Sequence, residues 1–307
     1  MLNQPMDVLC EFPVRKSKKQ KQAFRDAVQS YAQSLGYSVT TESKGRENNV
    51  VIGNPETAKY LVTAHYDTCA RLPFPNLITP CNPLTFILYQ LLVVMLFFAV
   101  SIAVGVAVGL GVKNAEIAYY CGYLTYWGLL LLMLFGPANK HNANDNTSGV
   151  VTLLEIVRTL PESHRDKVCF VLFDLEEAGL VGSAAYRKAH KKETQSQLVL
   201  NLDCVGDGNE LMMFPTKKLK KDSEKMQSLT QVCGDFGEKS LNLHKDGFST
   251  YPSDQKNFPY GVGIAAFRRK KGVGLYCSRI HTNRDTILEE ENVNILRDQL
   301  TALITAD

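Results

Sequence analysis

No CxxC pair occurs among the eight cysteines, and their spacing has no regularity. Nothing therefore suggests a disulfide framework. The thiols read as reduced, buried and structural, which points to a cytosolic setting. A surplus of one charge is also missing. The net charge is +3, which gives no reason to expect nucleic acid as a partner. Lys-rich stretches do occur at residues 15–19, 217–221 and 268–271, and each reads as solvated surface before apposition to anionic lipid. Residues 1–15 contain no apolar stretch of signal-peptide length, so no cleaved leader is expected there. Repeats and low-complexity tracts are absent, and tryptophan is limited to Trp127.

What is present is a sharply two-part chain of 307 residues. Residues 84–110 carry no charge and are almost wholly apolar; residues 111–116 break the run, and residues 117–135 form a second one. Each run is about the 20 residues that cross a bilayer as a helix. The short link forces an antiparallel hairpin, with Gly105 and Gly109 as a GxxxG pair for close approach. Tyr119, Tyr120 and Tyr123 near the start of the second helix suit an interfacial belt. The alternative is a hairpin buried in a soluble core or a dimer interface. A hairpin returns the chain to the side it left, and nearly all Lys and Arg lie outside it. The positive-inside rule then puts the rest in the cytoplasm. The expected organisation is one discontinuous domain, 1–83 and 136–307, with a two-span membrane hairpin inserted at 84–135.

In the polar part, residues 19–35 have helical periodicity and end at Gly36. Residues 37–41, 49–52, 60–64, 167–173, 197–202 and 263–267 read as strands. Residues 145–160, 179–190, 223–236 and 289–306 read as helices. Strands alternating with helices, with polar groups at strand C-termini, describe a mixed, mainly parallel α/β sheet flanked by helices.

Five segments of that part carry ligand chemistry: His65-Tyr66-Asp67, Asn144-Asp145-Asn146, Glu176-Glu177, Asp203 and His281. Singly they mean little. A His-x-Asp is common, Asp145 before a helix could be an N-cap, and Asp207 reads as a turn residue. Glu176-Glu177 is sharper, because two acids directly after a buried strand are hard to explain as surface. Together they offer two imidazoles, three ligand carboxylates and a spare Glu. That set can hold two Zn²⁺ ions and keep a base beside them. Glu176 would take a proton from water and return it to a leaving amine, and Asp285 could support His281.

These contexts resemble the co-catalytic zinc aminopeptidase superfamily, which also contains glutamate carboxypeptidase-like enzymes and glutaminyl cyclases. The resemblance runs through Thr63-Ala-His-Tyr-Asp-Thr, Ala143-Asn-Asp-Asn-Thr-Ser-Gly, Phe173-Asp-Leu-Glu-Glu-Ala-Gly, Asn201-Leu-Asp, Ser253-Asp254 with Phe258, and His281-Thr-Asn-Arg-Asp-Thr. It implies a zinc exopeptidase-like fold, one zinc on His65 and Asp203, another on Glu177 and His281, and Asp145 bridging. Glu176 would be the general base and Asp67 would orient His65. The chain departs from the family in three places. The hairpin separates His65-x-Asp67 from Asp145, Ile280 replaces the Tyr that many members have before the last His, and Gln255 replaces the His of Ser-Asp-His.

The resulting expectation is a membrane-anchored dinuclear zinc aminopeptidase acting on short peptides. N-acyl amino acids or lipopeptides taken from the bilayer surface are the second substrate class. Glutaminyl cyclisation is a third reading, disfavoured by the placement of Trp127 in the hairpin. An inactive membrane scaffold is the non-enzyme reading.

Overall fold

The computed structural model describes residues 2–306. Its centre is one mixed ten-stranded sheet. In chain order the strands are β1 (Val39–Glu42), β2 (Asn49–Ile52), β3 (Tyr60–His65), β4 (Val168–Phe173), β5 (Leu198–Leu202), β6 (Glu210–Pro215), β7 (Gly234–Phe236), β8 (Lys239–Leu243), β9 (Gly261–Lys270) and β10 (Gly274–Tyr276). They lie in the order β1-β2-β4-β3-β5-β9-β6-β8-β7, with β10 folded back on β9. The middle four, β4, β3, β5 and β9, are mutually parallel. Their C-terminal ends therefore open on one side, where an α/β sheet binds its ligands.

The pleat explains why these segments are so apolar. Val62, Ala64, Phe170, Leu172, Leu200 and Leu202 face one side of the sheet and belong to the main core. That side is covered by α2 (Lys18–Ser34), α5 (Gly149–Thr159) and α8 (Glu290–Thr305). Leu61, Val171, Phe173 and Val199 point the other way, against Tyr186 of α6 (Val181–Ala189) and Phe258. A strand buried on both faces reads as a continuous apolar run. Each such side chain contributes about 1.5–3 kcal/mol of burial.

Four expectations need correction. Residues 223–236 are not one helix: α7 (Ser223–Gln231) stops, and after Gly234 the chain pairs with β8 as β7. Strands β6, β8 and β10 were not foreseen. The helix expected from Asp145 begins only at Gly149, since Asp145 (φ −111°) and Asn146 (φ −128°) are non-helical. The hairpin link is two residues long. α3 (Pro83–Val112) is opened by Asn82, whose side chain accepts from Thr85 N–H, and is ended by Lys113 in the left-handed region. Asn114 then caps α4 (Ala115–Phe135) by accepting from Ile117 N–H.

The hairpin stands out from the body. In their most hydrophobic 18-residue windows, α3 is 17% buried and α4 is 0% buried. It therefore does not fill a soluble core within this chain. Ser101, Gly105 and Gly109 of α3 meet Ala118 and Gly122 of α4 so closely that side chains have no room. A Cβ on Gly122 would lie 2.9 Å from the Ser101 carbonyl oxygen, and one on Gly105 would lie 3.0 Å from that of Ala118. Phe98 stacks on Tyr126 at 4.7 Å. At the base, Phe97 packs edge-on against Phe74, and Lys16 Nζ donates to the Leu134 carbonyl at 3.4 Å.

Gly122→Leu should force the two helices apart, at a cost of about 1–3 kcal/mol. Disulfide trapping between cysteines placed at positions 98 and 126, whose rings stack across the pair, measures this directly. Undiminished cross-linking in the Gly122→Leu background would contradict the packing.

Candidate functional site

The ends of β3, β4 and β5 and two loops deliver the five predicted segments to one place. His65 is the last residue of β3, and Asp203 directly follows β5. Asp145 lies in the irregular turn before α5, Glu176-Glu177 in the turn after β4, and His281 in the loop after β10. Asp145 is central. One of its carboxylate oxygens lies 3.3 Å from His65 Nε2 and the other 2.9 Å from His281 Nε2. Asp203 lies 3.7 Å from the same His65 nitrogen, and Glu177 lies 3.5 Å from the same His281 nitrogen.

Three groups of donors result, two of them sharing Asp145. His65, Asp145 and Asp203 form one, Asp145, Glu177 and His281, with Cys69 beside them, form the second, and His65, Glu176 and Glu177 form the third. Within each group the ligand atoms lie within 4.8 Å of one another, which suits an ion about 2 Å from each. The buried Glu177 Oε1 has no hydrogen-bond partner among the described residues, so both the donor chemistry and this unsatisfied atom fit a metal ion.

The turn bearing Asp145 is shaped by its neighbours. The N–H groups of Asn144 and Asp145 donate to the two oxygens of Asp285, at 2.8 and 3.0 Å. Asn146 Oδ1 accepts from Gly149 N–H at 3.0 Å and from Cys204 N–H at 3.2 Å. Asn146 thus serves the opening of α5, and Asp145 is spared the capping role its position suggested. Gly149 permits this, because a Cβ there would meet Asn146 Oδ1 at 2.4 Å and the Leu202 carbonyl at 2.5 Å. Asp285 thus supports the Asp145 backbone, rather than the His281 ring it was expected to serve.

Asp67 has a role that the sequence did not disclose. Its Oδ1 is 3.6 Å from His65 Nδ1, longer than a hydrogen bond. Its two oxygens instead accept from Glu176 N–H at 3.0 Å and Glu177 N–H at 3.3 Å. The turn it holds is tight, with Leu175 and Leu180 both at positive φ, a conformation that clusters at functional sites. Arg15 was taken for solvated surface and is fully buried. Its guanidinium donates to the carbonyls of Tyr66 and Phe12 and to Thr147 Oγ1, tying β3 to the Asp145 turn. Asp207, expected as a turn residue, is also buried and pairs with Arg268 and Arg279.

Crowded carboxylates shape the electrostatics. Burial pushes Glu176 well above the usual range, with Glu177 and Asp254 adding to it and His65 opposing. Burial likewise pushes Glu177 up to about 8. Burial disfavours the His281 imidazolium, yet Glu177 and Asp145 outweigh it and raise that group to about 9. Asp145 is held below the ordinary range: burial opposes this, but both imidazoles overcome it.

A cavity of about 430 Å³ opens on this cluster. His65, Asp145, Glu176, Glu177, Asp203 and His281 line its floor, with Ile78, Leu180 and Ile280 nearby. Phe86 and Gln90 of α3 and Leu134 of α4 supply another part of its wall. Tyr251 also lines it, but its hydroxyl donates to the Asp203 carbonyl at 3.0 Å. Gln255 is buried, donating to the Tyr251 carbonyl and accepting from Asn201. Asp254 is buried as well and accepts from Ser183 Oγ.

Comparison with known proteins agrees with this architecture. The model of peptidase family M28 matches residues 132–302, more than half of the chain. Aminopeptidase YwaD of Bacillus subtilis (strain 168) is 32% identical over 130 residues, a match covering 39% of this chain but only 29% of that protein's length. A Zn-dependent exopeptidase from Parabacteroides distasonis superposes with a TM-score of 0.63 at 15% identity, covering 97% of this chain and 94% of that one. Porphyromonas gingivalis glutaminyl cyclase gives 0.61 at 16% identity, covering 96% and 93%. At these identities the two structures speak for the fold, a mixed sheet flanked by helices.

A ligand set whose imidazole and carboxylate have raised proton affinity must release protons to bind metal. Zinc affinity should therefore climb as pH rises from about 6 to 9, approaching tenfold per pH unit for each proton displaced. Competitive chelator titrations at several pH values measure it, and a flat profile would contradict the electrostatics.

Proposed function

This chain belongs to peptidase family M28, and from that premise we propose a membrane-anchored, two-zinc aminopeptidase that removes the first residue of short peptides. The observation that carries the reading is the Asp145 carboxylate, with one oxygen toward His65 and the other toward His281. His65 and Asp203 would complete one zinc position, and Glu177 and His281 the other. Zinc bound there supplies Lewis acidity toward a scissile carbonyl and toward water.

The chain's own residues do the rest. Glu176 projects into the cavity from the same turn as Glu177 and takes no part in the two groups that share Asp145. It accepts the proton of the attacking water and returns it to the departing amine. Its withdrawal from water, together with neighbouring acids, gives it the proton affinity for that shuttle. Asp67 acts through the backbone, fixing the turn so that Glu177 faces metal while Glu176 faces substrate. The Ile280 side chain offers no hydrogen-bond donor and the Tyr251 hydroxyl is committed to the Asp203 carbonyl, so neither supplies the donor that a Tyr at position 280 would bring.

Residues 1–83 and 136–307 form the peptidase domain, and the inserted hairpin anchors it. The two helices are long and apolar enough to cross a bilayer. Nearly all Lys and Arg lie outside the hairpin, which supports a cytoplasmic face for the domain. Glu176→Gln should lower turnover by about 10²–10⁴-fold while zinc content stays at two per chain. Mass-spectrometric product analysis on free-amine peptides, with metal quantified beside it, provides the check. Activity retained in that variant would remove Glu176 from the mechanism.

A second reading concerns the substrate. Phe86, Gln90 and Leu134 of the hairpin line the catalytic cavity, which favours amphiphiles such as N-acyl amino acids or lipopeptides delivered along the membrane. Phe86→Ala should then raise KM for long-chain substrates about tenfold and leave small peptides unchanged. Equal effects on both would dismiss the reading. Cyclisation of N-terminal Gln is a third reading that the likeness to a glutaminyl cyclase fold fits, although Trp127 is outside the cavity lining.

A further inference from the structure

We infer that Cys69 is a thiolate ligand of the second metal position, beside Asp145, Glu177 and His281. The inference rests on the two-ion reading above and adds a donor that the resemblance did not supply. Cys69 Sγ and one donor atom from each of those three residues all lie within 4.8 Å of one another. The other buried thiols, Cys169, Cys204 and Cys277, belong to no such group among the described residues. They sit in apolar clusters with partners such as Phe173, Met212 and Phe267.

The backbone holds Cys69 where it is. On one side, Thr68 exchanges hydrogen bonds with Arg15: Arg15 N–H donates to Thr68 Oγ1 at 2.9 Å, and Thr68 N–H donates to the Arg15 carbonyl at 3.2 Å. On the other side Ala70 bridges to Ala138, and the Cys69 carbonyl accepts from Asn139 N–H at 3.0 Å. The residue is 2% exposed, and among the described residues its sulfur makes no hydrogen bond. A buried free cysteine ordinarily serves as a small apolar side chain. Here, however, it faces two acids and an imidazole, partners that an apolar group would not favour.

On loading, the S–H bond breaks, the proton passes to solvent and the sulfur–metal bond forms, with no change of oxidation state. A soft donor at this position would select zinc over Mn²⁺ or Mg²⁺.

The test uses the full chain in detergent, loaded with Co²⁺. The expected result is two cobalt ions per chain and a strong near-ultraviolet thiolate-to-cobalt absorption. Cys69→Ser should abolish that absorption and weaken the second ion about tenfold or more. Zinc-edge X-ray absorption of the unsubstituted protein needs no variant and should find one sulfur at about 2.3 Å from one of the two zincs. Two bound ions without the band or the sulfur would overturn the assignment and leave the two-metal site intact. A band that survives Cys69→Ser would also overturn it. Fewer than two ions in the unsubstituted protein would overturn both readings.

Discussion

The site depends on one carboxylate placed between two imidazoles. Asp145 can face both His65 and His281 because its turn is tied down on two sides, by Asp285 through the N–H groups of Asn144 and Asp145 and by Asn146 through the starts of α5 and the loop after Asp203. Without that turn His65 and Asp203 would form one donor group, Glu177 and His281 another, with nothing shared. The surrounding acids raise the proton affinity of both imidazoles, and the imidazoles in turn hold Asp145 below the ordinary carboxylate range.

Much of this was legible in the chain because strands advertise their ends. Val168-Cys-Phe-Val-Leu-Phe can only be a strand buried on both faces, so the acids that follow must lie at the sheet's C-terminal edge, and the same logic holds for His65 and Asp203. Strands β6, β8 and β10 escaped notice. Their neighbours are antiparallel or peripheral, and segments such as Lys239–Leu243 lack a sustained apolar run. The roles of Asp67 and Arg15 were hidden for a different reason. Both act on backbone groups far away in sequence, Asp67 across 109 and 110 residues and Arg15 across 51. No local pattern encodes such a bond. Cys69 looked like an ordinary buried thiol until the loop bearing His281 was brought beside it.

The hairpin adds a physical link between two long apolar helices and the site. It leaves the body after the His65–Asp67 segment and returns before the Asp145 turn, so its first and last turns stand beside the site. That is why Phe86, Gln90 and Leu134 reach the cavity, and why Lys16 and Phe74, at the base, pack against α4 and α3.

The most direct test of the account is an anomalous-difference map, recorded at the zinc edge, from crystals of the full chain grown with zinc. The account predicts two peaks, one on each side of the Asp145 carboxylate, with His65 and Asp203 at the first and Glu177 and His281 at the second. A single peak, or zinc bound without Asp145 between two ions, would contradict it.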